Sequence, residues 1–193
     1  MGALVNNLRP LNILEFGSGL STIFLSDLLS KQGNGHLFTV EDSSEYLSKT
    51  KEMTNNATNL SLFLSPISRY VFKGKLCHTY LQDFVLKLPE VHFDIVLIDG
   101  PLAYKYGREA SLYLITPFLK SETLILLDDS NREPEQKAIA NWRRAWSRNL
   151  EVIQFRDLKK GFSIIRINDP SHSNRYPFPL VEIARSYLPF SRF

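Results

Sequence analysis

The sequence holds one cysteine, Cys77, among 193 residues. A single thiol closes no internal disulfide, so a reducing compartment is expected. Cys77 has no activating pattern beside it and reads as a small packed residue rather than a nucleophile. No apolar run approaches the roughly 20 residues of a membrane span. Met1 to Pro10 lack the basic start and apolar core of a secretory signal, so the expected placement is soluble and cytoplasmic. The four histidines form no metal pattern such as HExxH. A net charge of +3 is too small to argue for nucleic acid. The scattered Lys and Arg read as a solvated basic face.

What the chain does have is alternation. Short apolar runs read as strands at Asn12–Phe16, His36–Val40, Leu60–Leu64, Phe93–Ile98 and Thr123–Leu127. Phe93–Ile98 is apolar on both faces, as a central parallel strand must be. Helical spacing follows the first strand (Leu20, Ile23, Phe24, Leu28, Leu29), and Asp42 with Glu45 makes a capping-box-like start for a second helix ending near Asn55. Further helices are expected over Leu81–Leu88, over Glu109–Leu119, after a cap at Ser130 or Asn131, and near Val181–Leu188. Ile139, Trp142, Ala145 and Trp146 give the helix after that cap its apolar face, with Trp142 and Trp146 as packing residues. Glu151–Phe155 and Phe162–Ile167 close the pattern as a hairpin. The segment Ile67–Tyr80 gives no clear reading. These features predict one α/β domain over residues 1–167, a parallel sheet with helices on both faces, and a Pro- and aromatic-rich tail over 168–193.

Ligands of such sheets bind beyond the carboxyl ends of the strands. Glu15-Phe16-Gly17-Ser18-Gly19 is a glycine turn at the first of these ends, and the helix after it presents free N–H groups. A dinucleotide turn wants a third glycine where Thr22 stands. A carboxylate at Glu15 would repel a pyrophosphate and favour the sulfonium and ammonium charges of S-adenosylmethionine. Glu41 ends the second strand, where carboxylates accept bonds from ribose hydroxyls.

ILEFGSGLS, FTVEDS, FDIVLIDGP and LILLDD together resemble the successive motifs of class I S-adenosylmethionine-dependent methyltransferases, over roughly Asn12 to Ile167. The last two look most like the small O-methyltransferase group. The resemblance implies a Rossmann-like three-layer sandwich, with a seven-stranded, mostly parallel sheet of order 3-2-1-4-5-7-6 and an antiparallel last strand. It implies that Glu15, Gly17 and Gly19 line the methionine part of the cofactor and that Glu41 holds the ribose. Ser65 and Pro66 would lie near adenine, and Asp99 near the reacting methyl. Phe16, Ser18, Ser21, Asp42 and Gly100 complete the expected cofactor set. Ser21 replaces the family's third turn glycine.

Asp99 and the pair Asp128-Asp129 end adjacent strands and should converge. Converging carboxylates share a proton or hold a cation. Metal-dependent O-methyltransferases of the catechol type have an Asp and an Asp-Asn pair at similar places, so Asp99, Asp128 and Asp129 are candidate ligands for Mg²⁺ or another divalent cation. Without a metal, Asp99 or Asp129 could be a general base, or these acids could only cap turns. Tyr104, Lys105, Tyr106 and Arg108 either border an acceptor pocket or form a solvated loop. The expected activity is methyl transfer, on oxygen, to a small molecule. Two rivals are a non-catalytic Rossmann-like module of a larger assembly and a nicotinamide-dependent oxidoreductase. Few residues precede the first strand, so another subunit, Ile67–Tyr80 or the tail must cover the acceptor. Tyr176, Phe178, Tyr187, Phe190 and Phe193 in the tail could pack on the domain or join copies of the chain.

Overall fold

The computed structural model describes residues 6–101, 107–175 and 177–187. Seven strands form the main sheet: β1 (Asn12–Phe16), β2 (His36–Glu41), β3 (Leu60–Leu64), β6 (Ile95–Ile98), β7 (Leu124–Asp128), β8 (Leu150–Phe155) and β9 (Phe162–Ile167). Their order is β3-β2-β1-β6-β7-β9-β8, with β9 antiparallel to both neighbours. Counting these seven alone, the order is 3-2-1-4-5-7-6, as expected.

The unread segment is a second, two-stranded sheet of β4 (Ile67–Phe72) and β5 (Lys75–Tyr80). Lys73 and Gly74 form its two-residue turn, both at positive φ. That is the backbone of a type I′ turn, which matches strand twist. The hairpin packs on the helix Glu109–Leu114 and on the C-terminal helix α5 (Leu180–Ser186).

Helices cover the two faces unequally. α1 (Leu20–Gln32) buries Leu25 and Leu29 against Ile13, Leu37, Ile95, Leu97 and Leu126. It stops at Gly33, whose left-handed conformation sends its N–H back to the Leu29 and Ser30 carbonyls. The opposite face carries the larger core, in which α3 (Glu109–Leu114) and α4 (Glu133–Trp146) place Tyr113, Trp142 and Trp146 against β6, β7 and β9. Each fully buried Leu or Ile in these clusters stabilises by about 1.5–3 kcal/mol.

Several helix boundaries differ from expectation for local reasons. α2 (Ser44–Met53) is capped by Ser43, whose hydroxyl accepts from the Tyr46 N–H; Asp42 is not the cap. α3 ends at Leu114 rather than Leu119. Pro117 disfavours α geometry just before it, so Thr116–Phe118 is a 3-10 turn. Leu81–Leu88 is likewise a 3-10 helix, over Gln82–Lys87. Neither Ser130 nor Asn131 caps α4: the Ser130 hydroxyl accepts from Ser163, and the Asn131 amide donates to the Arg156 and Leu158 carbonyls. Arg132 takes the cap position, and Pro134 sits in the first turn as expected.

The described part of the tail folds back on the domain. Phe178 is buried against Phe72 and Tyr113, and the Tyr187 hydroxyl donates to the Gly74 carbonyl. Lys75 Nζ bridges Glu109 at 2.8 Å and Glu182 at 3.2 Å, fastening α5 to the hairpin. Tyr176, Phe190 and Phe193 lie outside the described residues.

Candidate functional site

The site is built where β1, β2, β6 and β7 end. Gly17 bends the chain out of β1 with φ of +91°, a conformation that favours glycine. A Cβ there would lie 2.9 Å from the Gly100 backbone nitrogen, so the turns after β1 and β6 touch. Gly100 N–H donates to the Phe16 carbonyl at 2.6 Å. At Gly19 a Cβ would meet open space above the turn.

Glu15 is fully buried beneath this turn. Its Oε2 accepts from the Thr22 hydroxyl at 2.7 Å and the Thr39 hydroxyl at 2.8 Å. Thr22 Oγ1 in turn accepts from Gly19 N–H at 2.9 Å. Burial raises the Glu15 pKa to about 7, against the lowering effect of the Ser21, Thr22 and Thr39 hydroxyls. The expectation that Glu15 lines the methionine pocket is therefore corrected: the backbone of the turn covers its side chain. Thr22, which breaks the dinucleotide pattern, is the strut between this acid and the turn.

Glu41 stands at the rim. Its Oε2 accepts from Ser18 N–H at 2.7 Å and its Oε1 from Ser43 N–H at 2.9 Å. A carboxylate has about four acceptor sites, so capacity remains for ligand hydroxyls. Gly17, Ser18, Glu41, Asp42, Tyr46, Tyr80, Asp99, Gly100, Pro101, Arg108, Asp129 and Arg132 line a cleft of about 310 Å³. The Tyr80 hydroxyl is buried there and has no hydrogen-bond partner among the described residues. Burial, foremost, pushes its pKa well above the usual phenol value, and Glu41 and Asp42 add to this.

A second cleft, of about 490 Å³, opens on the other side of Asp99. Ser21, Leu97, Asp99, Asp128, Leu158, Lys160, Gly161 and Phe162 line it. Of the described residues, Asp99 alone lines both clefts. Burial raises the Asp99 pKa, Arg108 opposes this, and Asp128 and Asp129 reinforce it.

Asp99, Asp128 and Asp129 converge as expected, each bringing a carboxylate oxygen within 4.8 Å of the others. Positive charge already lies among them. Arg108 Nη2 is 3.0 Å from Asp99 and 3.8 Å from Asp129, and its Nη1 donates to the Asp128 carbonyl at 2.8 Å. Arg132 approaches Asp129 at 2.8 Å and Lys160 at 3.5 Å. Beneath them Glu135, fully buried, lies 3.6 Å from Arg108 Nε. A divalent ion would need an open cage of oxygen ligands. A fixed guanidinium stands between these acids, so the residues as arranged do not fit the expected ion.

Other expected residues do different work. The Ser65 hydroxyl donates to the Leu81 carbonyl, and neither Ser65 nor Pro66 lines either cleft. They link β3 to β4, and the Leu81 N–H donates to the Pro66 carbonyl, so the expected adenine contact is not seen at either cleft. Phe16 is a core residue stacked on Tyr80 at 5.4 Å. Ser21 belongs to the second cleft rather than the first. Arg108 is not solvated, because its side chain is 3% exposed. Tyr104, Lys105 and Tyr106 lie outside the described residues. Sequence reasoning missed Tyr80, Arg132 and Lys160. Tyr80 sits in the unread hairpin, and the two cations reach Asp129 from a neighbouring turn and from the β8–β9 loop.

A family model described as "Methyltransferase domain" matches residues 14–130. No curated protein matches the chain. Among solved structures, a putative O-methyltransferase from Klebsiella pneumoniae is similar at 16% identity, covering 87% of this chain and 78% of its own, with a TM-score of 0.62. An O-methyltransferase from Bacillus cereus in complex with SAH gives 17% identity, 86% and 78% coverage and a TM-score of 0.62. The O-methyltransferase TomG from Streptomyces achromogenes, in complex with SAM, gives 14%, 87%, 78% and 0.61.

Proposed function

Because the chain belongs to the methyltransferase domain family, we propose that it transfers a methyl group from S-adenosylmethionine to the oxygen of a small hydroxylated molecule. The observation that carries this reading is Asp99, the wall shared by a polar cleft at the glycine turn and a more apolar cleft beside it. S-adenosylmethionine, when bound, supplies an electrophilic methyl on a sulfonium centre. In this reading the polar cleft is the cofactor side. Glu41 accepts from the ribose hydroxyls, and the turn amides and the unpartnered Tyr80 hydroxyl donate to the ligand. Glu15 braces the turn from beneath through Thr22 and contributes negative potential only as it ionises near pH 7.

The second cleft takes the acceptor. Leu97, Leu158 and Phe162 hold its apolar body, and Asp99 accepts the hydroxyl proton as the oxygen bonds the methyl carbon. The electron pair of the breaking bond stays on sulfur. Oxygen as the receiving atom is supported by the printed activities of the similar structures, all O-methyltransferases.

Calorimetric titration with S-adenosylmethionine and S-adenosylhomocysteine tests the cofactor; saturable heat is expected with both. Silence with both, or tight NADH binding instead, would overturn the reading. With labelled methyl donor and a panel of phenols and alcohols, Asp99→Asn should lower transfer by about 10²-fold or more. Unchanged transfer would remove Asp99 from the proton step.

A further inference from the structure

We propose that the cation of the strand-end acid cluster is Arg108 itself, so that this chain carries out its chemistry without a divalent metal ion. The inference rests on the methyl-transfer reading only for what the site is used for; the ion binding it predicts needs no cofactor. Four carboxylates (Asp99, Asp128, Asp129 and Glu135) lie around three cations, Arg108, Arg132 and Lys160. The balance of the group is one negative charge. A divalent ion added to it would reverse the sign, and one replacing Arg108 would have to expel a guanidinium that is almost fully buried.

Glu135 is the reason this guanidinium is fixed. It comes from the first turn of α4, lies outside the converging Asp99, Asp128 and Asp129, and its carboxylate has no hydrogen bond among the described residues. Arg108 Nε is its ion-pair partner, at 3.6 Å. An ion held by the three aspartates would leave Glu135 facing no charge of opposite sign from Arg108's position, a costly arrangement for a buried acid. The same Nε donates to the Pro101 carbonyl at 3.4 Å, and Nη1 donates to the Asp128 carbonyl at 2.8 Å. Arg108 Nη2 is left to the aspartates, 3.0 Å from Asp99 and 3.8 Å from Asp129. Arg108 is thus a positioning residue. It orients the Asp99 carboxylate in the wall between the clefts and supplies there the positive charge that an ion would supply.

The test is a Mn²⁺ titration of the full chain followed by loss of the free-ion EPR signal, with S-adenosylhomocysteine titrated calorimetrically in the same preparation. The wild type should show no saturable Mn²⁺ binding up to about 1 mM, the weak end of protein divalent sites. Arg108→Met removes the charge at similar length and should bind Mn²⁺ at least about tenfold more tightly than the wild type, since it leaves buried acids uncompensated. Adding Asp99→Asn to that variant should abolish the gain. Saturable Mn²⁺ binding by the wild type that Asp99→Asn removes would overturn the proposal. A folded Arg108→Met variant no better than wild type would overturn the role given to the guanidinium. Should that variant fail to fold, the wild-type titration decides alone. Failure to bind S-adenosylhomocysteine beside a silent Mn²⁺ titration would strike the methyl-transfer reading and leave this one standing.

Discussion

Along the carboxyl edge of the sheet, the acids of β1 and β2 and the acids of β6 and β7 are held in opposite ways. Glu15 receives the Thr22 and Thr39 hydroxyls, and Glu41 receives the Ser18 and Ser43 amides. Among the described residues no Lys or Arg pairs with either. On the other half, Asp99 and Asp129 face Arg108, Arg132 and Lys160. Neutral donors fix a carboxylate without cancelling its charge, whereas guanidinium groups do both. The first half therefore offers a cationic ligand carboxylate oxygens with no competing cation, Glu41 at the cleft and Glu15 beneath the turn, the latter part-protonated near neutrality with its pKa of about 7. The second half meets its acids with cations of its own, to within one negative charge.

The largest way to break this contrast is to unbalance the second half. Arg108→Met should cost about 3–5 kcal/mol of folding stability, the range for breaking a buried ion pair by removing one partner. Urea denaturation measures it; a loss under 1 kcal/mol, on the scale of an exposed pair, would mean the network is solvent-screened.

The next effect belongs to Glu15. Its folded pKa, about 7, lies above the ordinary 4.5. The folded state therefore holds the proton more tightly. The stability this contributes is fully present below pH 4.5 and is lost as pH rises through about 7. Relative to Glu15→Gln, the wild type should lose about 3 kcal/mol over that window. Denaturation curves of both proteins from pH 4 to 8 give the difference directly, and a flat difference would mean that Glu15 is not in the environment described.

Smaller again is Glu41→Ala, which should weaken S-adenosylhomocysteine binding by about 1.5–3 kcal/mol if charge-assisted ribose bonds are lost. Unaltered calorimetric affinity would remove Glu41 from the ribose role. The smallest is Tyr80→Phe. Deleting a buried hydroxyl without a partner should raise apo stability by about 1 kcal/mol and lower cofactor affinity by a similar amount. Unchanged or raised cofactor affinity would show that the hydroxyl is no ligand donor.

The contrast also marks where the sequence was readable. The strand runs, the glycine turn and the acids at strand ends are local patterns, and the sheet order followed from the family motifs. The hairpin β4–β5 was not legible because Ile-Ser-Arg-Tyr-Val-Phe and Lys-Leu-Cys-His-Thr-Tyr mix polar and apolar residues without clean alternation. Lys73-Gly74 was the one signal there, weaker than Asn-Gly or Asp-Gly as a turn marker. Glu15 was found as a charge but not as a buried one, since its partner Thr39 is 24 residues away. Asp99, Asp128 and Asp129 were placed together correctly. What neutralises them was hidden, because Arg108 and Glu135 meet only once α3 and α4 pack.

The contact between Gly17 and Gly100 has a consequence for altering this enzyme's selectivity. With no room for a methyl group at Gly17, the turns after the first and fourth strands of the main sheet meet backbone to backbone. The Tyr80 hydroxyl closes on Gly100 from the polar cleft, so a larger residue at either glycine would disturb this contact. Under the proposed function, variation for new acceptors belongs in the Leu158–Phe162 loop on the far wall of the second cleft, away from that contact.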